Sequence, residues 1–152
     1  MKKKIAIILG SSSDRDKLKS GFSILEELKI PYDFYVVSAH RDPDKLRRLC
    51  KKMEKNGTQA VIACAGLAAA LGGFIASYVD IPVIGVPLKA GDFNGLDSLL
   101  SIIQIPRGLG LLSSGFDVRG FINALIFALE IVALRDKTYK RKLKQLKRKF
   151  KK

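Results

Sequence analysis

Three short stretches carry side chains able to do chemistry: Gly10-Ser11-Ser12-Ser13-Asp14, Ser38-Ala39-His40-Arg41 and Ala65-Gly66-Leu67-Ala68. The first offers free backbone N–H groups at a helix start, hydroxyl donors, and a glycine that admits a ligand closely. That suits a phosphate, whereas the Asp14 carboxylate suits ribose hydroxyls. Equally, Ser13 or Asp14 could simply cap the helix. Arg41 supplies a permanent positive charge for the same anion, or else lies solvated. His40 is the single histidine of the chain, and imidazole is the side chain that titrates near neutral pH unperturbed. It is either a proton carrier or an ordinary loop residue beside a helix cap. Neither a Gly-x-Gly-x-x-Gly turn nor a P-loop lysine motif follows the first apolar run, which argues against dinucleotides and nucleoside triphosphates.

These segments act together only if the chain brings them to one place, and strand-like and helix-like patterns alternate in a way that does so. Lys4–Gly10 is a short apolar run ending in glycine and serines, as in a strand covered on both faces. Leu18, Phe22, Leu25 and Leu28 recur at helical spacing, and Pro31 closes that helix. Phe34–Ser38 is the second strand. In the helix after it Asp42 caps, Pro43 suits the first position, Leu46, Leu49, Cys50 and Met53 share one face, and Asn56-Gly57 ends it.

Ala60–Ala65 and Pro82–Pro87 are the third and fourth strands, Leu96–Ile103 a short helix, and the segment around Gly110–Phe116 a fifth strand. Strands alternating with helices imply right-handed crossovers and a parallel sheet between helical layers. Ligands of such sheets bind beyond the carboxyl ends of strands, where all three polar stretches fall. The helix Phe121–Leu134 is apolar almost all round, which predicts burial on more than one face and a subunit interface.

The 152 residues fit one domain, with 28 Lys and Arg against 14 Asp and Glu. Charge is unevenly placed: Arg135–Lys152 holds eleven bases and one acid, Asp136. Tyr139, Leu143, Leu146 and Phe150 recur at helical spacing there, so residues 135–152 read as a basic amphipathic helical tail behind an α/β domain of residues 1–134. Its apolar stripe is expected to pack on a neighbouring subunit while its lysines stay solvated, so neither nucleic acid nor membrane is an expected partner. No apolar run is long enough to cross a membrane. Ile5–Leu9 is too short for the apolar core of a signal peptide. Cys50 and Cys64 lack metal-ligand spacing and read as reduced structural thiols of a cytoplasmic protein.

GSSSD, SAHRDPDKL, AGLAAALGGFIAS, IPVIGVP, GLDSLLSIIQIPRG and the helix containing Asn123 follow one another over nearly the whole chain in an order and spacing that resemble the PurE family. The resemblance implies a three-layer α/β/α sandwich with a central parallel, flavodoxin-like sheet, a homo-octamer, and no metal or organic cofactor. It implies synthesis of 4-carboxy-5-aminoimidazole ribonucleotide in de novo purine biosynthesis. SAHR is similar to the class I mutases, which rearrange N5-carboxyaminoimidazole ribonucleotide. The alternative is direct carboxylation of aminoimidazole ribonucleotide with free carbon dioxide. By the same resemblance His40 is the catalytic proton shuttle, and Ser11, Asp14 and Arg41 hold the ribose phosphate. Ser13, Ser38, Ala39 and Gly66 complete the substrate contacts. One departure stands out. The family loop reads Gly-x-Ala-Ala-His-Leu-Pro-Gly, where this chain has Ala70 for the histidine and Gly72 for the proline, and a later family proline is Gly110. The glycines are expected to loosen the loop, and the missing histidine keeps a non-catalytic nucleotide-binding relative in view.

Overall fold

The computed structural model describes residues 2–151. In chain order the elements are β1 (Ile5–Leu9), α1 (Asp14–Lys17), α2 (Lys19–Glu27), β2 (Asp33–Val36), α3 (Pro43–Lys55), β3 (Ala60–Gly66) and α4 (Leu71–Ala76). They continue with β4 (Val83–Leu88), α5 (Leu96–Ile103), β5 (Leu111–Ser113), α6 (Asp117–Ala133) and α7 (Lys137–Phe150). The strands form one sheet in the order β2-β1-β3-β4-β5, every pair parallel. The chain moves from β1 outward to β2, then crosses back over β1 to β3. That reversal opens a crevice at the carboxyl ends of β1 and β3.

Side-chain alternation divides the core into two layers. Ile5, Ile7 and Leu9 of β1, with Ala60, Ile62 and Cys64 of β3, face α2, α6 and α7. Ala6, Ile8, Val61, Ala63 and Ala65 face α3 and α4 on the other side. Gly85 of β4 lets α5 approach that second face, since a Cβ there would lie 2.7 Å from Ile102 Cγ2. The arrangement is the three-layer α/β/α sandwich that the alternation predicts.

Several local expectations change. The first helical run is two helices broken at Leu18, whose φ of -107° and ψ of 7° leave the helical region. β2 ends at Val36 rather than Ser38, although Val37 N–H still donates to Leu9 O at 3.0 Å. Ser13 caps nothing with its side chain. The helix α6 starts at Asp117, earlier than its apolar pattern, because Gly120 allows the chain to turn back on itself. A Cβ at Gly120 would sit 1.7 Å from Gly115 O.

The apolar face of the basic tail lies on its own chain. Tyr139 and Leu146 of α7 are buried in the core layer shared with α6, with Ile126, Ile131 and Leu143 partly buried against it. One extra face of α6 is therefore covered within the subunit, and its exposed apolar remainder includes Phe127 and Leu134. Gly72 and Gly73 stand where neighbouring elements approach closely. Both lie inside α4, where a Cβ would come within 3.1 Å of Leu111 and 3.0 Å of Ile105 respectively. Their small size is used for packing.

Candidate functional site

At the carboxyl end of the sheet the loops after β1, β2 and β3 surround an open cavity of about 730 Å³. Ser11, Ser13, Asp14, Ser38, Ala39, His40, Arg41 and Gly66 all line it. The structure thus gathers all eight of these candidate contact residues, though not Ala70. Two strand pairings explain why. Gly10 N–H donates to Cys64 O at 3.0 Å and Val37 N–H to Leu9 O at 3.0 Å, so the ladder runs to the last residue before each loop.

The loop after β1 folds on its own carboxylate. Asp14 Oδ2 accepts from Ser11 N–H at 3.2 Å, and the Ser11 and Ser13 hydroxyls stand 2.9 Å apart. Asp14 is only 7% exposed. Burial pushes its carboxyl above the usual range, while the Lys17 ammonium and the Ser11 N–H pull it back. A largely buried carboxylate with one oxygen fixed from behind is suited to accept from ligand hydroxyls.

The loop after β2 is set by the helix that follows. Asp42 Oδ1 accepts from Lys45 N–H at 3.0 Å, with Pro43 in the first turn of α3, so the expected cap and proline positions are both found. Ser38 closes the turn from the other side, its Oγ accepting from Arg41 N–H at 3.3 Å and its carbonyl from Asp42 N–H at 3.1 Å. His40 and Arg41 between these anchors are exposed. Among the described residues no acid pairs with either of them. A pinned backbone presents an imidazole and a guanidinium to the cavity with both free for a ligand.

The third wall is nearly devoid of side chain. Gly66 passes so close to β4 that a Cβ would lie 3.0 Å from the Ala90 Cβ. Leu67 then adopts the left-handed region at φ 56°, a conformation that costs a non-glycine residue roughly 1 kcal/mol. Ala70 does not line the cavity. It borders an adjoining apolar pocket of about 350 Å³, together with Phe74, Ile105 and Pro106, and Ala68 touches both spaces.

Sequence reasoning missed Lys17, Lys45 and Ala90, which also line the cavity. Lys45 lies in the first turn of α3, which the Asp42 cap sets beside the loop, whereas Lys17 precedes the helix that the apolar spacing indicates and carried no such signal. Among the described residues no group of three or more His, Cys, Asp or Glu stands together as metal ligands, and no helix is long and apolar enough to cross a membrane.

A parallel α/β sheet with serine hydroxyls, a carboxylate, an arginine and an imidazole around its switch-point crevice has the chemistry that suits a small phosphorylated metabolite. Comparison with known proteins narrows the class. A family model described as AIR carboxylase matches residues 4–152, and the chain belongs to that family. It is 44% identical over 142 residues to N5-carboxyaminoimidazole ribonucleotide mutase of Pyrococcus abyssi, covering 93% of this chain and 80% of the relative. The enzyme of that name from Escherichia coli K12 is 41% identical over 140 residues, 92% of this chain and 83% of the relative. The crystal structure of Treponema denticola PurE superimposes with a TM-score of 0.79 at 27% identity, over 95% of this chain and 89% of that one.

Proposed function

We propose that the protein is an N5-carboxyaminoimidazole ribonucleotide mutase, producing 4-carboxy-5-aminoimidazole ribonucleotide in de novo purine biosynthesis. The observation that carries the reading is the meeting of GSSSD, SAHR and Gly66 on one cavity in a chain whose relatives of that name match over nine-tenths of its length. Ser11, Ser13 and Arg41 hold the phosphate and Asp14 accepts from the ribose hydroxyls. Ser38, Ala39 and Gly66 shape the wall against the imidazole ring.

The net change is an isomerisation: the carboxylate leaves the exocyclic nitrogen and bonds to ring carbon 4, and one proton travels the other way. His40 takes the proton from carbon 4 and returns it to the nitrogen. Imidazole suits both transfers because it is a competent acid and base near pH 7. No electrons are gained or lost, so the scheme calls for no oxidant or reductant.

The subunit is proposed to act in the cytoplasm as a homo-octamer, with residues 1–134 carrying the site and the basic tail 135–152 buttressing α6. Exposed Phe127 on α6 and Leu134 just after it, and Phe93, Leu96 and Ile103 on and before α5, are the apolar surfaces such an assembly would cover. Light scattering at micromolar concentration should report a mass well above one subunit; a monomer would contradict this assembly.

The decisive assay follows purified protein with N5-carboxyaminoimidazole ribonucleotide. Product formation independent of added carbon dioxide is expected, whereas dependence on it would favour the carboxylase reading. Ala70 favours a second reading, a relative that binds nucleotide without turning it over. Ala70→His should raise turnover severalfold, its longer side chain reaching past Ala68, which borders both spaces, to add one polar contact in the cavity. Tight nucleotide binding with no turnover in either protein would select the second reading.

A further inference from the structure

Lys17 is the last residue of α1 and stands outside the GSSSD motif. Its ammonium lies 3.9 Å from Asp14 Oδ1 and donates to Lys89 O at 3.1 Å. Lys89 follows β4, and its own N–H donates to Asp117 Oδ1 at 2.9 Å. The next residue, Ala90, lines the cavity. Through one side chain the loop after β1 is therefore tied to the loop after β4, across the mouth of the crevice. The other two cations on the cavity wall, Arg41 and Lys45, come from the loop after β2 and the helix it feeds.

The carboxylate that Lys17 touches is the most buried acid of the site. Burial favours its neutral form, and Lys17 is the larger of the two influences opposing that, ahead of the Ser11 N–H. Behind Asp14 lies Cys64 of β3, buried and held protonated, partly by the Asp14 charge itself. His40, Arg41, Asp42 and Lys45 face the same cavity from the β2 side. A protonated Asp14 would offer ribose hydroxyls a poorer acceptor.

We propose that Lys17 is a positioning residue for ribose recognition, holding Asp14 as an aimed carboxylate and fastening the Lys89–Ala90 wall beside it. This rests on the reading of Asp14 as the ribose ligand. The reaction needs no contact between Lys17 and the substrate. Its effect on the nucleotide passes through Asp14, and so depends on the protonation state of that carboxyl.

Calorimetric titration of aminoimidazole ribonucleotide tests the proposal with wild type, Lys17→Met, Lys17→Arg, Asp14→Asn and the Lys17→Met/Asp14→Asn double variant. Measurements run from about pH 8 down to about pH 5. Lys17→Met should bind more weakly, with the deficit relative to wild type growing as pH falls, to about tenfold, the scale of one charged hydrogen bond. Lys17→Arg should restore most of the affinity. In the Asp14→Asn background the growing deficit should vanish. A deficit equal at every pH, one that persists without the carboxylate, or no deficit at all would overturn the proposal. If Asp14→Asn binds as well as wild type, or wild type does not bind the nucleotide, the ribose reading of Asp14 fails first and takes the proposal with it.

Discussion

The two ends of β1 treat their polar groups in opposite ways. At the amino end Tyr139 Oη donates to Lys2 O at 2.7 Å and accepts from Lys4 N–H at 3.2 Å. Lys4 Nζ meets Asp136 Oδ2 at 3.0 Å, and Asp136 caps α7 by accepting from Thr138 N–H at 2.9 Å. The Lys4 hydrogen bond, aided by those capping N–H groups, holds the Asp136 carboxyl below its ordinary range. At the carboxyl end His40 and Arg41 face a cavity with no acid partner among the described residues. Polar groups satisfied by the protein stabilise the fold, whereas groups fixed in place but left unsatisfied are ready for a ligand. Substitutions at the two ends should separate stability from activity.

The largest effect is expected from His40→Asn, which should lower turnover by about 10²–10⁴-fold while leaving nucleotide affinity and melting temperature near wild type. Wild-type turnover in this variant would end the proton-shuttle role. Arg41→Ala should weaken binding of aminoimidazole ribonucleotide by about 1.5–3 kcal/mol in calorimetry, again with little change in melting. Unchanged affinity would exclude Arg41 from the site.

At the other end, Tyr139→Phe should cost about 1–2 kcal/mol of stability in denaturant titration, because the Lys2 carbonyl and Lys4 N–H lose a shared partner. Its kcat/KM should stay within twofold of wild type. A kinetic defect as large as that of Arg41→Ala would break the separation between the ends.

Asp14→Asn should give the smallest stability change and the most telling sign. Burial raises the Asp14 carboxyl above the ordinary carboxylate range, so the folded protein holds that proton more tightly than the unfolded chain. The associated stability is fully present below the unfolded value and is lost as pH rises through the folded one. At neutral pH the wild type therefore bears the cost of burying a charge, and Asn should melt slightly higher while binding nucleotide less well. The melting gap should close on acidification below about pH 4. A lower melting temperature for Asn at neutral pH would mean that Lys17 and Ser11 more than offset the burial.

Much of this division was legible in the sequence where local chemistry decides. Asp42-Pro43 announced the start of α3, and the apolar runs announced β1, β3 and β4. The residues around the cavity were legible because GSSSD and SAHR concentrate donors and charge at strand ends. Contacts between distant segments were not. Nothing near Tyr139 in sequence reveals that its hydroxyl ends against Lys2, 137 positions away. The apolar stripe of α7 was expected to meet a neighbouring subunit, and that expectation fails: its partner is α6 of the same chain. The break at Leu18 hid the phase of Lys17, and a helix read as continuous from Leu18 gives no reason to look one turn earlier.

Finally, the placement of the two thiols makes them timers of chain opening. Burial pushes Cys50 up to about 11 and Cys64 well above the ordinary thiol range, so near neutral pH each is held as an unreactive thiol. Cys50 lies under α3 alone, whereas Cys64 sits on β3 between β1 and β4. An alkylating reagent should therefore mark Cys50 whenever α3 lifts from the sheet, and Cys64 only when the strands themselves part. Pulsed labelling followed by mass spectrometry would time a peripheral opening and a global one in a single unaltered chain.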